Sequence, residues 1–238
     1  MTARRRATLA IQMNNGKFEV TATASRLQAL REAMRGCVRC AALVRCRARV
    51  VPGDGAAPAI VAFVGLAPGR LGGDRTGVPF LGDRSGNLLR LMIARANLEQ
   101  VFITNLVRCN PRDARGRNRD PKAREITNCR EHLAAELEVA RPRIVVCLGA
   151  VAWRELAGPE ASFRPRHPAP ISNGDGLLVY PMYHPAYVVR GAYPVRAYAM
   201  DFMRLARLLY PSHESRGRAD TSLADDLSLR SNQVPIWK

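Results

Sequence analysis

Four short apolar runs constrain this chain more than any other feature: Ile60–Val64, Val101–Thr104, Ile144–Leu148 and Leu177–Met182, separated by residues with helical spacing. Runs this short and this continuous read as strands covered on both faces. Helical patterns at Asn87–Ala96, Ala123–Ala140 and Ala150–Leu156 lie between them, with Ser25–Arg35 before and Val195–Leu209 after. The alternation predicts an α/β fold, a three-layer α/β/α sandwich with a four-stranded, mainly parallel sheet. Ligands of such sheets sit beyond the strand C-termini. Gly65-Leu66-Ala67-Pro68-Gly69, Asn105, Gly149 and His184-Pro185 all fall there.

The flanks read differently. Residues 1–24 form a basic N-terminal extension, 25–211 carry the domain, and 212–238, rich in Ser, Asp and Arg, read as a flexible tail. The chain has 37 Lys plus Arg against 20 Asp plus Glu, a formal charge of +17, and 34 of those cations are Arg. GC-rich codon usage would also produce an Arg excess, but a field of this sign attracts polyanions whatever its origin. No apolar run approaches the roughly 20 residues that span a bilayer, and Thr2–Arg6 lack the apolar core of a secretory signal. A cytoplasmic protein with no membrane partner is expected, and its six cysteines suit metal ligands or buried thiols better than a disulfide framework.

Cys37-x2-Cys40 places two thiolates within reach of one metal centre. Cys109 follows the second strand and Cys129 lies in the next helix, so both can return to that pair, while Cys46 is a sterically possible substitute. Cys147, inside an apolar strand, reads as a buried thiol. Such an all-thiolate set takes Zn²⁺ or a [4Fe–4S] cluster, and spacing alone does not separate them.

The most unusual stretch is Gly65-Leu-Ala-Pro-Gly-Arg-Leu-Gly-Gly-Asp74-Arg-Thr-Gly-Val-Pro-Phe80-Leu-Gly-Asp83-Arg-Ser-Gly86. It leaves a strand, lets backbone approach a ligand, and enters a helix, yet it is neither a P-loop nor a dinucleotide fingerprint. Together with Ile103-Thr-Asn-Leu-Val-Arg-Cys109-Asn-Pro111, Ile144–Gly149 and Tyr183-His184-Pro185-Ala186 it resembles the uracil-DNA glycosylase superfamily, specifically its iron–sulfur family 4 and family 5 (UDGb-type) enzymes. The first motif is closer to family 5, and the resemblance covers about Cys37 to Leu209.

The resemblance implies a monofunctional enzyme that hydrolyses the N-glycosidic bond of uracil, or of other deaminated bases such as hypoxanthine and xanthine, in DNA. It would leave an abasic site for base excision repair. It places a structural [4Fe–4S] cluster, rather than Zn, on Cys37, Cys40, Cys109 and Cys129. Phe80 matches the aromatic that stacks on the extruded base, Asn105 the amide that reads its edge, and Gly65, Leu66 and Ala67 the substrate-binding strand end. Asp74 matches the carboxylate that acts on water, Asn118 a site asparagine, and His184 the histidine that steadies the leaving base. A monomer acting at the nucleoid is implied, and a sliding clamp is a conceivable partner for the tail.

Several departures matter. Leu66 stands where family 4 carries Glu, and Ala67 where other families carry a catalytic Asp or Asn, which moves the acidic role to Asp74. Gly69 replaces the bulky Tyr of strict uracil enzymes. These departures leave an alternative, a non-catalytic Fe–S or Zn DNA-binding protein of the same fold. Arg75, Arg84, Arg108 and Arg190 fall near the motifs and are expected to hold phosphates around a flipped nucleotide.

Overall fold

A computed structural model describes residues 22–165, 168–174 and 176–211. The N-terminal extension up to residue 21 and the tail from 212 lie outside the described residues. Helix α1 covers residues 22–35, followed by the short α2, Ala41–Val44. Strands β1 (Asp54–Gly55), β2 (Val61–Gly65), β3 (Val101–Asn105), β4 (Ile144–Leu148), β5 (Ile171–Ser172) and β6 (Leu178–Met182) form one sheet. The remaining helices are α3 (Gly73–Thr76), α4 (Arg84–Arg95), α5 (Ala123–Ala140), α6 (Ala150–Ala157), α7 (Pro185–Val189) and α8 (Val195–Leu209).

The sheet order is β1-β3-β2-β4-β6-β5. The four apolar runs are its parallel centre, β3-β2-β4-β6. The expected four strands thus become six, because β1 and β5 add two-residue antiparallel edges. Two residues carry no periodicity, so no pattern announces such edges in a sequence.

Alternate residues of each central strand feed opposite faces, as a period of two requires. Ala62, Val64, Val145 and Cys147 join α1, α2, α5 and α6 on one side. Val61, Phe63, Val146 and Leu148 join α4, α7 and α8 on the other. Both faces of β2 and β4 are therefore fully covered, which explains why these strands read as continuous apolar runs. The parallel register aligns Gly65 with Asn105 and Leu148 with Met182, so the loops after β2, β3, β4 and β6 emerge at one edge. Two of those exits are stiffened by caps. Asp83 accepts from the Gly86 N–H at the start of α4, and His184 Nδ1 accepts from the Ala186 N–H at the start of α7, where Pro185 presets the first turn.

Candidate functional site

A cavity of about 320 Å³ opens at the C-terminal edge of the sheet. The structure brings Leu66, Ala67, Phe80, Asn105, Asn118 and His184 to its wall, together with Asp83, Asn110 and Arg190. Gly65 ends β2 just before Leu66 and Ala67 and is not itself among the residues that line the cavity. A Cβ there would stand 2.6 Å from both Asn105 Oδ1 and Phe80 Cζ, so the absence of a side chain is what lets those two groups meet.

Phe80 is held in an unusual backbone conformation, φ 51°, which disfavours a bulky residue and costs about 1–3 kcal/mol. Arg90 offsets that cost by donating to the carbonyls of Phe80 (2.8 Å) and Pro79 (2.9 Å). Gly86 leaves room for this turn, since a Cβ would come within 2.4 Å of the Phe80 carbonyl carbon. The Phe80 ring faces His184 at a centroid distance of 5.6 Å and an angle of 40°.

Asn105 is 2 % exposed, and among the described residues neither its Nδ2 nor its Oδ1 has a hydrogen-bond partner. Leaving both ends of a buried amide unmet costs roughly 1–3 kcal/mol each. Such an amide is poised for a ligand that supplies one acceptor and one donor. His184 is half-buried at the cavity wall, and burial first, then the Arg190 charge, pushes its pKa down to about 4. The ring is neutral near pH 7. Because its Nδ1 accepts from the Ala186 N–H (3.1 Å), its proton sits on Nε2, a neutral donor.

Asn118 Oδ1 accepts from the Arg70 N–H (3.1 Å) and from Asn110 Nδ2 (2.9 Å), leaving only its Nδ2 donors unused. Asn110, 1 % exposed, also donates to Pro68 O (2.7 Å) and accepts from Arg112 Nε (2.8 Å). The sequence gives Asn110 no role of its own. Its only signal there is an amide beside the strand-end Cys109.

Asp74 departs from expectation. It is fully buried, and it is not among the side chains that line the cavity. Its Oδ1 accepts from the N–H of Ala48 (2.9 Å) and Arg49 (3.5 Å), and its Oδ2 pairs with Arg112. The carboxylates at the cavity are Asp83 and Asp120, nine residues and more further on. Asp83 spends Oδ1 on the α4 cap (2.8 Å), while its Oδ2 lies 3.0 Å from where a Gly69 Cβ would be. The arginines also sort themselves. Arg190 lines the cavity, but Arg108 is 1 % exposed and paired with Glu136, and Arg75 is exposed without lining the cavity.

Four cysteines, Cys37, Cys40, Cys109 and Cys129, line a separate, smaller cavity. Each sulfur meets a nitrogen: His132 Nε2 at Cys37 (3.4 Å), Asn128 Nδ2 at Cys40 (3.4 Å), Arg47 at Cys109 (3.1 Å) and the Arg108 N–H at Cys129 (3.4 Å). Cys46 is not in that ring; its thiol points at the carbonyls of Leu43 (3.6 Å) and Asn110 (3.5 Å). Cys147 stays in the core, where burial pushes its thiol up to about 12. Among the described residues, no three His, Cys, Asp or Glu side chains converge closely enough to hold a single metal ion. No described helix is long and apolar enough to cross a membrane.

Comparison with known proteins gives these cavities a context. The family model described as the uracil DNA glycosylase superfamily matches residues 52–201. The type-4 uracil-DNA glycosylase of Archaeoglobus fulgidus is 35% identical over 188 residues, covering 75% of this chain and 90% of the relative. The type-5 uracil-DNA glycosylase of Pyrobaculum aerophilum is 36% identical over 184 residues, 63% of this chain and 78% of the relative. The type-5 enzyme of Mycobacterium tuberculosis is 32% identical over 160 residues, 58% of each chain.

Proposed function

The chain belongs to the uracil-DNA glycosylase superfamily, and on that premise we propose how its residues excise uracil from DNA. The enzyme is a hydrolase of N-glycosyl bonds that leaves an abasic site for base excision repair; the non-catalytic alternative is not favoured, since the relatives are named as glycosylases. The observation that carries the site reading is the Asn105 amide, buried and unpartnered at both ends. Uracil presents O4 as an acceptor beside N3–H as a donor, the complement of that amide, whereas cytosine inverts the pair. Extruding the nucleotide costs a few kcal/mol, and stacking on Phe80 returns about 1–3 kcal/mol.

Bond cleavage sends an electron pair from C1′ of the sugar onto the base and leaves the sugar positively charged. Both charges need stabilising in place. His184 donates through Nε2–H to O2 of the departing anion, and because the ring is already neutral it does so across the physiological range. The carboxylate that faces the sugar is assigned to Asp83 in place of Asp74. Its Oδ2 favours the oxocarbenium-like carbon and takes the proton of the water that bonds to C1′. Asn118, with only donors to offer, holds the oxygen of that water. Asp74 then acts at one remove, fixing Arg112, which fixes Asn110 and so Asn118. The missing side chain at Gly69 widens the cavity beside Asp83, which supports hypoxanthine and xanthine as further substrates.

The four-cysteine ring fits a [4Fe–4S] cluster. A nitrogen lies at each of the four sulfurs, the kind of surroundings that steady cluster-bound sulfur. Burial pushes the free Cys109 thiol up to about 11 and Cys129 upward too, so the cluster would have to displace those protons. As donors the same four sulfurs would also suit one Zn²⁺, and the family resemblance is what favours the iron–sulfur cluster. When bound, the cluster supplies a covalent brace between the 37–40 segment, the end of β3 and α5.

Uracil-containing oligonucleotide incubated with the protein and then treated with alkali should be cut at the uracil position. Intact strands from uracil, hypoxanthine and xanthine substrates alike, single- and double-stranded, would overturn the reading.

A further inference from the structure

A groove of about 470 Å³ runs between α5 and α6 and shares no lining residue with the base cavity or with the cysteine cavity. Its walls are apolar, with Leu106, Ile126, Leu133 and Leu137 on one side and Leu156 and Leu177 on the other. Leu137, Leu156 and Leu177 are only partly buried, so this strip keeps apolar surface that no described residue covers. At the rim Arg130 of α5 pairs with Glu155 of α6 at 3.4 Å, a contact of the kind that contributes little and parts easily.

The residues up to 21 lie outside the described ones, and their sequence supplies an occupant. Leu9, Ile11 and Met13 alternate with Ala10 and Gln12, which puts three apolar side chains on one side of an extended segment. Those three span about 13 Å of extended chain. The groove wall from Ile126 to Leu137 is of similar length, about 16 Å along α5. The point of attachment is also close. Helix α1 starts at residue 22, and its Arg26 pairs with Glu138 (3.6 Å), the neighbour of Leu137. Helix α1 lies toward β1, where Arg31 donates to Gly53 O (2.8 Å), and α6 lies over β4 and β6, so α5 stands between α1 and the groove. Residues 14–21 reach up to about 26 Å, well beyond the roughly 10 Å width of that one helix. Asn14-Asn15-Gly16 is a turn signal of the kind that reverses a chain. The tail from 212 is less well placed. It follows α8, which packs on the opposite face of the sheet and whose end is fixed by Tyr210 OH accepting from the Glu99 N–H (3.2 Å).

We infer that residues 9–13 fill this groove as a strap, with Leu9, Ile11 and Met13 against the leucines of α5 and α6. The strap enters beside Leu137 and leaves beside Leu106. Leu106 directly follows Asn105 at the sheet edge where the base cavity opens, so the strap brings Arg4, Arg5 and Arg6 to that edge. A tethered segment needs little intrinsic affinity, because a short tether holds it near its groove at an effective concentration on the order of millimolar. The inference does not depend on the excision reading.

Two photoreactive probes test the contact in the full chain. One p-benzoylphenylalanine replaces Ala134, an exposed α5 residue of the groove wall, and in a separate protein another replaces Ile11. Irradiation of dilute protein should link position 134 to the tryptic peptide of residues 7–17, and position 11 to residues 126–137 or 156–177, within one chain. Adding Leu9→Ser/Ile11→Ser/Met13→Ser to the Ala134 probe should lower the first product about tenfold, because the apolar contact is gone. In the triple variant without probes, the backbone amides of Leu156, Ala157 and Leu177 should exchange about tenfold faster than in the wild type. Its affinity for an oligonucleotide at low salt, read by fluorescence anisotropy, should fall about threefold as the three arginines lose their position.

Links from position 134 to residues 212–238 or to a second chain would overturn the strap, as would the absence of a link from both probes. Unchanged amide exchange in the triple variant would overturn it equally. Equal oligonucleotide affinity in the two proteins would overturn the placement of Arg4, Arg5 and Arg6 at the cavity edge.

Discussion

Around the four clustered cysteines every sulfur meets a nitrogen at 3.1–3.4 Å, whereas the amide of Asn105, four residues before Cys109, meets nothing. The two cavities meet along one short stretch of chain, Asn105 to Cys109, yet the first is left with an unmet amide and the second is braced by nitrogens. Arg108 shows how. Its side chain pairs with Glu136 and donates to the Asn105 carbonyl, and its backbone N–H donates to Cys129. Glu136 also accepts from Thr104 (2.6 Å) and from the Gly53 N–H (2.7 Å), so strand, helix and loop converge on one buried carboxylate. The contrast separates residues that hold the protein together from residues that are left unsatisfied for a substrate. It can be broken at either end.

The largest effect is expected on the braced side. Cys37→Ser/Cys40→Ser should lose bound iron, acid-labile sulfide and the visible absorbance of an iron–sulfur cluster, with soluble folded protein falling sharply. Full retention of iron would remove the cluster assignment. On the open side the expectation inverts. Asn105→Ala should lower kcat/KM for uracil by about 10²–10³-fold while the melting temperature holds or rises, because two unmet buried atoms disappear. A clear drop in stability would mean the amide is structural after all.

A subtler version of the contrast lies within a single loop, between Asp74 and Asp83. Asp83→Asn keeps a good helix cap, so stability should change by less than about 0.5 kcal/mol while kcat falls by about 10²-fold. Asp74→Asn breaks a buried pair and should cost about 3 kcal/mol of stability, a loss read by denaturant titration. The reverse pattern, a stable but inactive Asp74→Asn and an active Asp83→Asn, would return the chemistry to Asp74.

The smallest effect is in the pH response. Burial holds His184 at about 4 against 6.5 when unperturbed. Below pH 6.5 the unfolded chain takes a proton that the folded chain refuses, so stability falls as the pH drops from about 6.5 to about 4, by roughly 3 kcal/mol in all. His184→Asn, which retains the capping acceptor of α7, should flatten that part of the curve. For the same reason the excision rate should show no histidine limb between pH 6 and pH 9.

Much of this is legible in the sequence. The four central strands and the helices between them are announced by apolar runs and helical spacing, because both faces of the sheet are covered and leave little room for other patterns. Asn105 and His184 are placed at strand ends by topology, Phe80 and Asn118 are picked out by the family resemblance, and all four line one cavity. The edge strands β1 and β5 escape because pairing of two residues depends on partners distant in the chain. Asp74 escapes for a related reason. A carboxylate in a Gly-rich loop is equally at home facing solvent or facing in, and only the N–H groups of Ala48 and Arg49 with the guanidinium of Arg112, 25 and more residues away, decide it. Arg108 is hidden likewise, since its partner Glu136 is 28 residues along the chain.

The span from Asn105 to Cys109 carries one further consequence. Leu106 and Val107 hang on the carbonyls of Gly65 and Leu66 (2.8 and 3.0 Å), and Arg108 hangs on Cys129, so every residue of the span is pinned. The span therefore works as a ruler of fixed length. One extra codon inserted there would preserve every side chain named above, and would still turn either the amide out of its cavity or the cysteine out of its ring. Substitutions in this stretch are matters of degree, but a change in its length is fatal in either direction.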